Sequence, residues 1–142
     1  MSCGETSKTI LILDDDPVFI EGLNAVLTAD GYRVLLGLSG DAGVVLLEKL
    51  HDQIGLVIVD LVLPGRSGFE IMGALNRRPT PIKIIATTAL LKDSYLEIAK
   101  HFGAHAVLKK HEPGTPFPAE EWLQVVRSLL AAESNTSASA SP

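Results

Sequence analysis

Four carboxylates, a threonine and a lysine are the residues of this sequence best suited to chemistry. Asp14, Asp15 and Asp16 form an unbroken acidic run behind the apolar stretch Ile10 to Leu13, and Asp60 stands directly behind Leu56-Val57-Ile58-Val59. Thr88 and Lys110 follow two further apolar runs. Read singly, each has an ordinary explanation: Asp makes turns and caps, Thr caps helices, and Lys decorates surfaces. For Asp16, which precedes Pro17, the cap remains the better reading. Read together, Asp14, Asp15 and Asp60 are harder to dismiss. Carboxylates brought close raise one another's pKa unless a cation neutralises them. An all-oxygen ligand set favours magnesium, manganese or calcium over zinc or copper, and magnesium, which needs few carboxylates, suits this small cluster best. Lys110 as a point charge and Thr88 as a neutral donor would complete a site for an anion bridged to that metal.

Such a site exists only if the chain brings these residues to one place. Short β-branched runs at Thr9–Leu13, Arg33–Leu36, Leu56–Val59, Ile82–Ala86 and Ala106–Leu108 read as strands, and amphipathic stretches between them read as helices. Strands separated by helices need crossover connections, so the expected fold is α/β with a parallel sheet and helices on both faces. The unbroken apolar run of the third strand fits burial on both sides. Ligands in such folds bind beyond the carboxyl ends of the strands, where all the candidate residues fall. Asp16 as N-cap with Pro17 behind it starts the first helix, and Gly31 lies past its end. Ser67 and Glu70 have the spacing of a capping box for the third. Pro118 to Ala132 reads as the last helix, with Trp122, Val125, Val126 and Leu129 facing the sheet.

With 142 residues, 46% of them apolar, the chain can build one domain without disulfides or a structural metal. Its net charge of −5 argues against a surface for nucleic acid or anionic membrane, which needs clustered cations. Cys3 is the only cysteine, which excludes an internal disulfide and fits a reducing compartment. No apolar run approaches the roughly 20 residues that span a bilayer, and the N-terminus lacks the apolar core of a signal peptide. The expectation is a soluble, cytoplasmic protein: a flexible start at 1–7, one domain at 8–132, and a mobile tail at 133–142 that is rich in Ser and Ala.

The stretches ILILDDDP at 10–17, LVIVDLVLPGRSGFE at 56–70, IIATTA at 84–89 and GAHAVLKK at 103–110 make the sequence resemble the receiver domains of two-component response regulators. The resemblance runs from about Lys8 to Leu130. It implies a five-stranded sheet in the order 2-1-3-4-5. It also implies that Asp60 is the phosphoacceptor, that Thr88 is the switch hydroxyl and that Lys110 is the family's lysine. Magnesium would be held by Asp15, Asp60 and the Val62 backbone carbonyl, with Asp14 acting through water. Thr88 is preferred to Thr87 because a small residue, Ala89, follows it. The implied partners are a histidine kinase or histidine phosphotransfer protein upstream and an unidentified protein downstream. The chain would then be a signalling domain that assists its own phosphorylation and dephosphorylation rather than an enzyme. Val62 and Leu90, at the positions that tune phosphoryl lifetime in the family, are apolar and imply slow hydrolysis.

Two positions depart from the family pattern. Val107 stands where an aromatic residue is common, so any relay from Thr88 must use another group. His111 follows Lys110 in place of proline, and a cis bond before a non-proline residue costs about 3 kcal/mol, so the loop there is expected to differ. His111 itself reads as a solvated loop residue. His101 and His105 have metal-like spacing, but Gly103 between them reads as a helix end that would keep them apart. Two alternatives stand beside the receiver reading. One is a haloacid-dehalogenase-type phosphatase, whose nucleophile loop Asp14-Asp15-Asp16-Pro17-Val18 also matches, although no acidic pair follows a strand after Lys110. The other is a non-phosphorylated pseudo-receiver acting as a binding module. A flavodoxin-like carrier is disfavoured because Asp14 to Asp16 would repel a phosphate.

Overall fold

All five expected strands form, and they join one parallel sheet in the order β2-β1-β3-β4-β5. The computed structural model describes residues 9–65, 67–78, 82–89, 93–112 and 114–139. The elements alternate as β1 (Thr9–Leu13), α1 (Pro17–Ala29), β2 (Arg33–Gly37), α2 (Gly40–Leu50), β3 (Ile54–Asp60), α3 (Gly68–Asn76), β4 (Lys83–Thr88), α4 (Asp93–His101), β5 (Ala106–Lys109) and α5 (Ala119–Ser139). The expected flexible start at 1–7, with Cys3, lies outside the described residues, as does Leu90.

Alternation along the strands divides the core into two layers. Ile10, Ile12, Leu56, Ile58 and Ile85 face Phe19, Ile20, Leu23 and Leu27 of α1 and Trp122, Val126 and Leu130 of α5. Leu11, Leu13, Val57, Val59, Ile84 and Ala86 face the other way, onto Leu47, Ile71, Met72, Leu75 and Ala99 of α2, α3 and α4. Trp122 is fully buried, as its place on the helical stripe implies. Burying an aliphatic or aromatic side chain of this size contributes about 1.5–3 kcal/mol, so these two layers hold the sheet between the helices. The caps follow the sequence. Asp16 accepts from the N–H groups of Val18 and Phe19, with Pro17 in the first turn of α1. Ser67 and Glu70 exchange both bonds of a capping box.

Three boundaries differ from expectation in ways that matter. Asp60 and Thr88 end their strands rather than follow them, because β3 and β4 stay paired through Asp60 and Thr87. The last helix continues seven residues past Ala132, to Ser139. Between Glu133 and Ser139 there is no Gly or Pro, and extending an existing helix costs far less than starting one. The backbone at 133–139 is therefore helical.

Candidate functional site

β1 lies between β2 and β3, so the ends of β1 and β3 are neighbours and the first acidic run falls beside Asp60. Carboxylate oxygens of Asp14, Asp15 and Asp60 come within 4.8 Å of one another. Asp14 is wholly buried and Asp60 is 5% exposed, whereas Asp15 faces solvent. Lys110 reaches them from the end of β5. Its backbone N–H donates to the Thr88 carbonyl at 3.0 Å, which sets the lysine beside the end of β4. Its ammonium, 8% exposed, donates to Asp14 Oδ1 and Asp60 Oδ2, both at 2.9 Å. Asp16 Oδ2 lies further out, at 3.9 Å from the same nitrogen.

One ammonium does not balance this many acids. Asp14 Oδ1 also accepts from the Asp16 N–H, but Asp14 Oδ2 is buried with no hydrogen-bond partner among the described residues. Burial pushes the Asp14 carboxyl up to about 6, against the pull of the Lys110 bond, and the Asp60 charge adds to the rise. Burial alone would lower the Lys110 pKa, but its bonds to Asp14 and Asp60 outweigh that and raise it. A hard divalent cation fits what is missing, because it would give Asp14 Oδ2 a counter-charge and would draw on the exposed carboxylate of Asp15. Asp60 Oδ1 accepts from the Val62 N–H at 2.9 Å, which folds the loop after β3 back onto the acid. Val62 is 61% exposed and forms part of the rim.

Thr87 and Thr88 are told apart by alternation. Thr87 is the register partner of Asp60, and its buried hydroxyl has no hydrogen-bond partner among the described residues. Thr88 is also buried and falls on the opposite face, the face to which Val107 contributes.

The profile of the response regulator receiver domain matches residues 10–119. Protein PilH of Pseudomonas aeruginosa is 30% identical over 124 residues, covering 86% of this chain and 97% of that protein. The chain belongs to the receiver domain family. Response regulator RR06 of Streptococcus pneumoniae is 38% identical over 82 residues, 57% of this chain. The chain spans only 36% of RR06, in contrast to nearly all of PilH. The receiver domain structure from Methanospirillum hungatei superposes with a TM-score of 0.78 over 92% of this chain and 99% of that one, at 23% identity, and shares the fold. Membership in the receiver family takes the place of the phosphatase alternative. Among the described residues no helix is long and apolar enough to cross a membrane.

The site also contains what the sequence did not single out. The Lys110 ammonium lies over the Phe19 ring, 4.9 Å from its centre. His111, expected in solvent, is half-buried and meets Phe117 edge-on at 5.1 Å, because the aromatic surface of the α5 approach gives it a partner. No cis peptide occurs among the described residues, so the bond before His111 is trans. His105 uses Nδ1 to accept from the Ile84 N–H, while His101 is the last residue of α4, and Gly103 between them has a φ of 103°. The two histidines are separated, as the glycine implied.

Proposed function

We propose that the chain is the phosphoacceptor of a two-component relay, taking a phosphoryl group on Asp60 from a histidine kinase or histidine phosphotransfer protein. The observation that carries this reading is the Lys110 ammonium shared between Asp14 and Asp60 beside a buried carboxylate oxygen without a donor. An Asp60 oxygen attacks the phosphorus of a phosphohistidine or small acyl phosphate in line. The bond from phosphorus to the donor nitrogen or oxygen breaks, and its electron pair leaves with the donor. Lys110 follows the charge onto the transferred oxygens. Asp15, Asp60 and the Val62 carbonyl, with Asp14 acting through water, would hold a magnesium ion, whose charge would offset that of the transferred oxygens. Thr88 then moves toward the phosphoryl group and biases the surface between two conformations that a downstream protein reads. With Val107 on the same face, that bias passes through aliphatic packing rather than a turning ring.

In this reading residues 8–132 are the working unit and the region from 133 an appendage. The domain acts in the cytoplasm and contacts proteins, not nucleic acid or membrane. The apolar rim at Val62 offers no polar group to align an attacking water, which supports a long-lived aspartyl phosphate. Acetyl phosphate with magnesium should add one phosphoryl group, located at Asp60 by peptide mapping. Asp60→Asn keeps the shape and loses the nucleophile, so it should not be labelled; full labelling of that variant would overturn the assignment.

A further inference from the structure

Two seats are within reach of the Lys110 ammonium. The inner one, between Asp14 and Asp60, is occupied, with both bonds at 2.9 Å. An outer one lies at Asp16, whose Oδ2 is 3.9 Å away and whose side chain is 45% exposed. A cavity of about 270 Å³, lined by Asp16, Val18, Phe19, Lys110, His111 and Gly114, opens beside the lysine on that side. The lysine therefore has both a competing carboxylate and the room to turn toward it, against the two bonds that hold it inside.

Beside the two carboxylate bonds, an aromatic assembly constrains the lysine. Phe19 lies under the ammonium and packs on Trp122 at 5.6 Å and on Phe117 at 6.0 Å between ring centres. Phe117 stacks on Trp122 at 6.4 Å and meets the His111 ring edge-on. It also fills the space left on α1 by Gly22, where a Cβ would stand 2.7 Å from its ring. Trp122 is fully buried, so this assembly is anchored in the core. It grips Lys110 at two points: Phe19 at the charged end, and His111, the next residue in the chain, at the backbone. Edge-to-face ring pairs and a cation over a ring face each favour one geometry over its neighbours.

We propose that His111, held on Phe117, is a positioning residue that keeps the Lys110 ammonium in the inner seat between Asp14 and Asp60 and away from Asp16. The proposal rests on the reading of Asp60 as phosphoacceptor, since the inner seat is where the ammonium can follow a phosphoryl group. It also assigns a use to the residue that replaces the family's proline.

The test is the rate at which acetyl phosphate labels the full chain in magnesium, read by intact mass, with magnesium affinity from calorimetry and folding from thermal unfolding. His111→Ala should slow labelling about fivefold or more, while magnesium binds at least as tightly, because the ammonium no longer competes for the inner acids. His111→Phe retains an edge-to-face ring and should restore the rate. Asp16→Asn removes the charge of the outer seat but still caps α1, so adding it to His111→Ala should recover most of the loss. On a Lys110→Ala background, His111→Ala should cost nothing further. Wild-type labelling by His111→Ala, no recovery with Asp16→Asn, or a further loss without Lys110 would each overturn the proposal. A Lys110→Ala protein that labels as fast as wild type would instead refute the phosphoacceptor chemistry on which it rests.

Discussion

Lys110 with Asp14 and Arg127 with Asp30 join residues almost equally far apart in the chain, yet the two contacts are built on opposite terms. Arg127 meets Asp30 through two parallel bonds, Nη2 to Oδ1 at 2.6 Å and Nε to Oδ2 at 3.1 Å, with half of the arginine side chain exposed. Each charge has one partner, and the guanidinium bonds hold the Asp30 carboxyl below its usual range. Water competes for both groups, so the pair contributes little to stability. Around Lys110 the matching fails. One ammonium serves two buried carboxylates, and one oxygen of Asp14 has no donor. The exposed pair joins two helices, and the buried shortage of positive charge fits the proposed cation site.

The largest effect should come from removing the buried excess. Because burial pushes Asp14 from 3.8 up to about 6, its ionised form opposes folding near neutral pH. Asp14→Asn should stabilise the protein in chelator at pH 7 by as much as about 3 kcal/mol, measured by urea unfolding. The sign reverses the usual carboxylate case. Wild-type stability should rise as pH falls from 6 toward 4, where Asp14 takes up a proton, and the advantage of the variant should shrink over the same window. An Asp14→Asn protein less stable than wild type at pH 7 would mean that the Lys110 bonds already balance the site.

Magnesium should separate the neighbours of Asp14. Asp15 contributes to the oxygen cluster, whereas Asp16 turns its Oδ1 to the start of α1. Asp15→Ala should weaken magnesium binding about tenfold or more, and Asp16→Ala much less, with a lost cap worth about 1 kcal/mol of stability in its place. Equal losses of affinity in a calorimetric titration would show that the acidic run acts as one unit. Smaller still, Thr87→Val replaces a buried hydroxyl without a partner by a methyl group, and should stabilise by about 1 kcal/mol with labelling intact. Loss of labelling in that variant would move the switch hydroxyl from Thr88 to Thr87. At the low end, Arg127→Ala should leave the unfolding midpoint within the scatter of repeat scans; a clear drop would show the exposed pair to be stronger than its surroundings allow.

The order of the strands, the caps at Asp16 and Ser67, and the meeting of Asp14, Asp15, Asp60 and Lys110 could all be read from the sequence. The strands, the caps and the placing of the acids depend on local signals (a β-branched run, a capping residue, an acid directly behind a strand), whereas the strand order was implied by the resemblance to receiver domains. The ends of β3 and β4 could not, because they are set by pairing across the sheet, which holds even Asp60, a residue with no strand preference of its own. The length of α5 was missed because a Ser and Ala-rich composition describes solubility better than it describes backbone conformation. His111 was placed in solvent for a related reason. Its partner, Phe117, is only six residues away, but the loop geometry that turns one ring onto the other depends on α1 leaving a gap at Gly22. Long-range packing decided the strand ends and the place of His111, and no window of sequence contains it.

Gly68 opens α3 directly against the backbone that carries Asp60. A Cβ at this position would lie 2.3 Å from the Asp60 carbonyl oxygen, and the Gly68 N–H reaches the Leu61 carbonyl at 3.4 Å. The loop from Leu61 to Ser67 is thereby closed at its base. In mechanical language, Asp60 and the first turn of α3 form a single pivot with no slack between them. A displacement of the β3 end on the proposed phosphorylation of Asp60 would be passed to the helix as rotation rather than absorbed by the loop, and even one methyl group at Gly68 would act as a wedge in that joint.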